Sequence, residues 1–164
     1  MWSSDRRNFI ALAGAAALAG CGFTPAYGPA GGGAKLLGSV QPDAPKTRDD
    51  FALTQQLSAR IGPVQAPRYR LAYTVSTDQL GQAITPQGAT TRYSLTGSVD
   101  YTLYAIGSDA VLLAGKVSSF TSWSATGTVV ASAAAEEDAH RRLMRMLADQ
   151  IVTRLLAQAS TLPQ

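Results

Sequence analysis

Tyr93-Ser94-Leu95-Thr96-Gly97-Ser98-Val99-Asp100-Tyr101-Thr102-Leu103 places apolar or small residues at odd positions and polar ones at even positions without a break. Period two marks a strand, because successive side chains leave a pleated backbone on opposite faces. One face of this strand is therefore buried, and the other carries Ser, Thr and Asp. A sheet with one apolar face must have that face covered by another layer.

The neighbours supply both strands and cover. After a turn at Gly107-Ser108-Asp109, the residues Val111, Leu113, Gly115 and Val117 continue as a strand through about Trp123. So short a connection makes the two strands an antiparallel hairpin. Beyond Gly115 the pattern weakens, with Ser119 and Thr121 where large apolar residues would be expected, so that end is read as exposed or held by a partner. Upstream, Tyr69, Leu71, Tyr73 and Val75 alternate with Arg68, Arg70, Ala72, Thr74 and Ser76, a further half-buried strand. Gln79 to Ala89 contains Gly81, Pro86 and Gly88 and reads as a loop.

Two helices flank these strands. Ala133 to Ala159 has no Gly or Pro. At about 100° per residue, Leu143, Met144, Leu147, Ala148, Ile151, Val152 and Leu155 share one side of it, opposite Arg142, Arg145, Asp149 and Thr153. Glu136, Glu137 and Asp138 are read as loading its first turns and Arg154 its end, which suits the helix dipole. Met144 is expected to fill the core. The second helix is expected over 47–61, with Thr47 as N-cap, an acid three residues on, and Leu53, Leu57 and Ile61 as its stripe. Gly62-Pro63 stops it. Before it, Leu36, Leu37 and Val40 suggest a short first strand that Pro42 and Pro45 break. The order strand-helix-strand-strand-strand-helix predicts an α+β two-layer sandwich: an antiparallel four-stranded sheet with two helices on one face.

The beginning of the chain has a different character. Arg6 and Arg7 precede an apolar run from Phe9 to Ala19, shorter than the ~20 residues a membrane-spanning helix needs. Leu18-Ala19-Gly20-Cys21 then fits the bacterial lipobox, so 1–20 reads as a lipoprotein signal peptide. In that chemistry the Cys21 thiol accepts a diacylglycerol group as a thioether. The peptide bond after Gly20 is then cut, and the freed amine takes a third acyl chain. Each buried CH₂ contributes about 0.8 kcal/mol and stable anchoring needs more than one chain, so three chains hold firmly. Arg6-Arg7-Asn8-Phe9-Ile10 is similar to a twin-arginine signal; paired arginines also occur in ordinary signals, and the general secretory route is the expectation. Residues 21–34 are dense in Gly and Pro and read as a tether, in which Phe23 and Tyr27 are aromatics that could pack at a lipid interface or on the domain. The folded domain is expected over 35–164.

Cys21 is the only cysteine, so the domain is expected to hold together by its core without disulfides. The chain has 14 basic and 11 acidic residues and a net charge of +3, and loss of the signal's Arg6, Arg7 and Asp5 lowers the balance only to +2. That is too mild for nucleic-acid binding. No catalytic residue and no metal site is assigned. His140 has no second histidine or free cysteine to share a metal and reads as a solvated helix residue. Asp49-Asp50 and Glu136-Glu137-Asp138 read as helix-start acids. No Gly-x-Ser-x-Gly elbow occurs, and Gly31-Gly32-Gly33 lacks the lysine of a phosphate loop.

Cys21-Gly22-Phe23-Thr24-Pro25-Ala26-Tyr27-Gly28 resembles the mature start of the LPS-assembly lipoprotein family LptE. Ala134-Ala135-Glu136-Glu137-Asp138-Ala139-His140-Arg141-Arg142-Leu143, followed by Leu147-Ala148-Asp149-Gln150-Ile151, resembles the closing helix of its alphaproteobacterial members. The resemblance implies a non-enzymatic outer-membrane lipoprotein that faces the periplasm. Its implied partners are an LptD-like β-barrel, which it plugs, and lipopolysaccharide. No cofactor is implied beyond the covalent lipid on Cys21. Asp after the lipidated cysteine holds many Gram-negative lipoproteins in the inner membrane, and Gly22 in its place favours the outer one. Barrel interiors are polar, and the Ser- and Thr-rich strand faces at 91–104 and 116–124 suit such a lumen as well as they suit plain solvent. Arg68, Arg70, Arg92 and Lys116 are expected on the sheet face away from the apolar one, as candidate contacts for lipopolysaccharide phosphates or as a solvated face that blunts aggregation. The alternative function is a periplasmic auxiliary lipoprotein of a lipid-trafficking transporter.

Overall fold

The alternating stretch lies within β3, Thr90–Ala105, an interior strand of a four-stranded sheet ordered β1-β2-β3-β4. The other strands are β1, Val40–Pro42, β2, Tyr69–Ile84, and β4, Val111–Ser124. Two helices complete the fold: α1, Arg48–Ile61, and α2, Val129–Ala157. The computed structural model describes residues 28, 32–108 and 110–163. Cys21, the signal, Phe23, Tyr27 and Asp109 lie outside the described residues.

The register explains why period two works across three strands. Val99 pairs with Val75 and Val117, and Leu103 with Leu71 and Leu113, so odd positions share one face throughout. Leu95, Val99, Tyr101 and Leu103 are buried there beneath Leu143, Leu147, Ile151 and Leu155 of α2 and Leu53, Leu57 and Ile61 of α1. Burying a side chain of this size contributes about 1.5–3 kcal/mol, so this one interface supplies most of the drive to fold.

The sheet is mixed and not purely antiparallel. β1 runs parallel to β2, with Val40 opposite Tyr69 and Pro42 opposite Leu71. The cause is α1, which carries the chain back to the end from which β1 began, as a helical crossover must for parallel neighbours. Leu36 is buried in a turn before β1, whereas the half-exposed Leu37 contributes little.

The segment expected as a loop from Gln79 is strand as far as Ile84, leaving only 85–89 as the hairpin turn, with Gly88 at φ +83°. Gln79, Leu80 and Gly81 pair with Leu95, Ser94 and Tyr93, and the register shifts only beyond Gly81. Pairing with β3 overrides the local turn preference of a lone glycine.

α1 starts as its sequence dictates. The Thr47 hydroxyl accepts from the Asp50 N–H, and the Asp50 carboxylate accepts from the Thr47 N–H, both at 3.0 Å. α2 starts at Val129, earlier than the composition suggested, because Thr128 caps the Ala131 N–H at 3.2 Å. Glu137 and Asp138 therefore sit beyond the first turn and pair with Arg141 and Arg142 along the helix instead of serving the dipole.

The weak pattern after Gly115 also has a cause. A Cβ on Gly97 would lie 2.8 Å from Leu143 Cδ2, and Ser119, opposite Gly97, has its hydroxyl 3.6 Å from Met146 Sδ. Small residues stand where side chains of α2 press on the sheet.

The two ends of the domain meet. Lys35 Nζ donates to the Leu162 carbonyl at 2.8 Å, and the Tyr69 hydroxyl to that of Pro163 at 2.6 Å. A Cβ on Gly32 would lie 2.7 Å from the Ser160 nitrogen. Gly32 thus lies where the segment 159–163 is fastened.

Candidate functional site

Both helices cover the odd face, so among the described residues no element covers the even face of β2, β3 and β4. Its rungs are small and polar. Ala72, Thr102 and Ala114 form one, Thr74, Asp100 and Lys116 the next, then Ser76, Ser98 and Ser118. Asp78, Thr96 and Phe120 follow, with the Phe120 ring 73% exposed. A shallow depression of about 500 Å³ opens over the three serines and Phe120.

The four cations expected on this side do not converge. Arg70 Nη1 lies 3.3 Å from both Asp43 carboxylate oxygens, and its guanidinium sits 4.5 Å over the Tyr104 ring. Lys116 Nζ is 3.0 Å from Asp100 Oδ2. Arg92 lies at the far end of β3, opposite Ser124. Arg68 precedes β2, with its backbone bonded to Ser39 and Ile106 and its side chain exposed. Arg70 and Lys116 sit level with Tyr104 and Asp100, so the cations mark positions 104, 100 and 92 along β3. At about 3.4 Å per residue these levels are ~14 and ~27 Å apart, too far for one phosphate group. The two ion pairs are solvent-exposed and worth at most about 1 kcal/mol each, so an anion could displace either acid.

On the helical side a larger groove, about 1170 Å³, lies between the N-terminal turns of α1 and α2. Phe51, 62% exposed, and Val130 line it, so Phe51 belongs to the groove and not to the buried stripe of α1. His140 Nδ1 lies 3.0 Å from both Asp49 oxygens, with the two side chains only 27% and 20% exposed. His140 therefore ties α2 to α1 and is not the solvated residue its charged neighbours implied. Nothing local in the sequence signals that contact, because its partner is 91 residues away.

Tyr73 stands at the edge of the sheet, its hydroxyl donating to the Asp43 carbonyl at 3.2 Å. Burial first, then the Asp50 and Asp43 charges, push its phenol from 10.0 up to about 12. The folded state thus holds this proton where the unfolded chain would release it. The resulting stability is complete below pH 10 and is lost as pH rises toward 12. Alkaline unfolding curves should show Tyr73→Phe losing less stability than the natural protein over that window, and parallel losses would exclude this role.

Among the described residues no group of three His, Cys, Asp or Glu side chains could hold a metal, and no helix is long and apolar enough to cross a membrane. What the geometry offers is a largely polar sheet face, with Phe120 exposed on it, that can lie against another surface.

The family model for LptE, lipopolysaccharide-assembly, matches residues 37–155. No curated protein matches the chain. Among solved structures, a Caulobacter crescentus protein provisionally assigned as a lipoprotein superposes with TM-score 0.67 at 21% identity, covering 81% of this chain and 99% of its own. Rare lipoprotein B from Shewanella oneidensis gives TM-score 0.55 at 16% identity, covering 75% and 96%. These two likenesses establish the shared fold.

Proposed function

From the chain's membership of the LptE lipopolysaccharide-assembly family, we propose an outer-membrane lipoprotein, anchored through Cys21, that plugs an LptD-type β-barrel and assists lipopolysaccharide assembly there. The bare sheet face carries this reading. Its serine and threonine rungs and its two exchangeable ion pairs suit the polar wall of a barrel lumen. The anchor fits the same geometry. Ten residues lie between Cys21 and Gly32, so a lipid on Cys21 would sit within about 40 Å of the end where Gly32 meets Ser160.

The wide spacing of Arg70, Lys116 and Arg92, with Arg68 two residues from Arg70, supports separate phosphate contacts along a path, each charge-assisted, in place of one binding pocket. Affinity purification of the detergent-solubilised, lipidated protein should recover a large outer-membrane barrel. Recovery of inner-membrane transporter components alone would overturn the proposal and favour a transporter auxiliary role.

A further inference from the structure

The sheet has two outer edges, and they are treated differently. On β4, the residues of even number turn their N–H and C=O groups outward, because odd ones face β3, as the Ala125 N–H bond to Thr91 shows. Side chains of α2 occupy that edge. Arg142 donates to the Ser122 carbonyl at 3.2 Å, Gln150 to that of Ser118 at 3.2 Å, and Arg154 to that of Lys116 at 2.6 Å.

On β2 the outward residues are the odd ones, since the Tyr69 N–H bonds Ser39 and the Leu71 carbonyl accepts from Asp43. β1 pairs only with residues 69–71. Among the described residues, nothing bonds the outward backbone groups of Tyr73, Val75, Thr77, Gln79 or Gly81. Proteins ordinarily blunt such an edge with Lys, Pro or a bulge. Between Ala72 and Gly81 there is no Pro and no Lys, and the register shift comes only beyond Gly81.

We infer that the edge of β2 from Tyr73 to Gly81 is a strand-addition site, which takes an extended segment of a partner protein as a fifth strand. Backbone bonds supply affinity in this mode, and alternate side chains supply specificity. The chemistry of the edge defines the segment. Asp78 is the sole charged residue from Ala72 to Ile84, lies on the bare face, and has no ion-pair partner among the described residues. Two positions on, Leu80 stands 63% exposed on the same face. The segment therefore presents a Lys or Arg against Asp78 and an apolar side chain, two residues away, against Leu80. A second copy of this chain fits poorly: antiparallel pairing centred on Asp78 sets the two carboxylates directly opposite one another with no cation between them. The site stands whether or not the bare face lines a barrel lumen.

The test uses the full-length protein in detergent and a synthetic peptide of alternating Thr and Val that carries Lys and, two residues on, Leu. Binding should slow hydrogen exchange at the amides of Tyr73, Val75, Thr77, Gln79 and Gly81, leaving the even amides of β2 unchanged. Thr77→Pro removes one outward donor and no bond to β3, so it should keep the melting temperature and weaken binding at least about tenfold. Asp78→Lys should reverse the preference, so that a Glu-for-Lys peptide binds the better. Absence of protection at the five odd amides, or unchanged binding and charge preference in both variants, overturns the inference. Protection that rises with protein concentration and needs no peptide would give the edge to a second copy, and overturn it too.

Discussion

Cys21→Ala should abolish incorporation of labelled palmitate and remove the protein from the outer-membrane fraction. In the proposed anchoring the Cys21 Sγ accepts the diacylglycerol group, and alanine offers no nucleophile. The cut after Gly20 follows lipidation, so the variant should also migrate as a precursor that retains residues 1–20. The effect is all or none, since a single acyl chain already binds only marginally and this change leaves no chain at all. The folded domain should be unaffected, because among the described residues the buried core is built from Leu36 to Leu162. Circular dichroism of the variant should therefore match the natural protein. Normal fractionation together with undiminished palmitate labelling would refute the anchor.

Gly97→Val should be among the most destabilising single substitutions in the domain. The new Cβ would stand 2.8 Å from Leu143 Cδ2, 3.3 Å from its Cγ and 3.4 Å from Leu147 Cδ1. Leu143 and Leu147 are themselves fully buried and hemmed in by the core. Over-packing of this kind costs roughly 1–3 kcal/mol, and a β-branched residue adds methyl groups toward the same atoms. Leu143→Ala makes the opposite error, leaving a cavity at a cost of about 2–5 kcal/mol. Because the two sites touch, the valine should occupy part of that cavity. The double variant should then be more stable than the sum of the single losses by about 0.5–3 kcal/mol. Urea denaturation of the four proteins measures this directly. Strict additivity would mean that α2 does not bear on β3 at Gly97.

The register of small residues illustrates how far the primary structure reaches. Ser119 looks like a lapse in one alternating pattern and Gly97 like a small residue in an unbroken one, and along the chain neither shows what packs on it. They are neighbours across the β3–β4 ladder, beneath Leu143 and Met146 of α2. The extent of β2 shows the converse. A local rule of turn composition assigned Gln79–Gly81 to a loop, and hydrogen bonds from β3 outweighed it.

The amino-acid sequence alone determined which residues face the core. The odd positions of β3, the Leu53-Leu57-Ile61 stripe and the buried face of α2 are set by backbone periods of two and 3.6, which are properties of neighbours in the chain. The Thr47–Asp50 capping box is equally local. The lipobox is local as well, and it is the source of the anchor expectation. Only the tertiary structure decided the rest. The direction of β1 depends on where α1 returns the chain. His140 meets Asp49 because two helices are packed together, and the four cations spread along β3 because register separates them. The contrast between a guarded β4 edge and a bare β2 edge arises the same way: α2 lies close enough to β4 for Arg142, Gln150 and Arg154 to bond its carbonyls, while β1 covers β2 for only three residues. A residue's face is fixed by its immediate neighbours, but its partners are fixed by where distant segments come to rest.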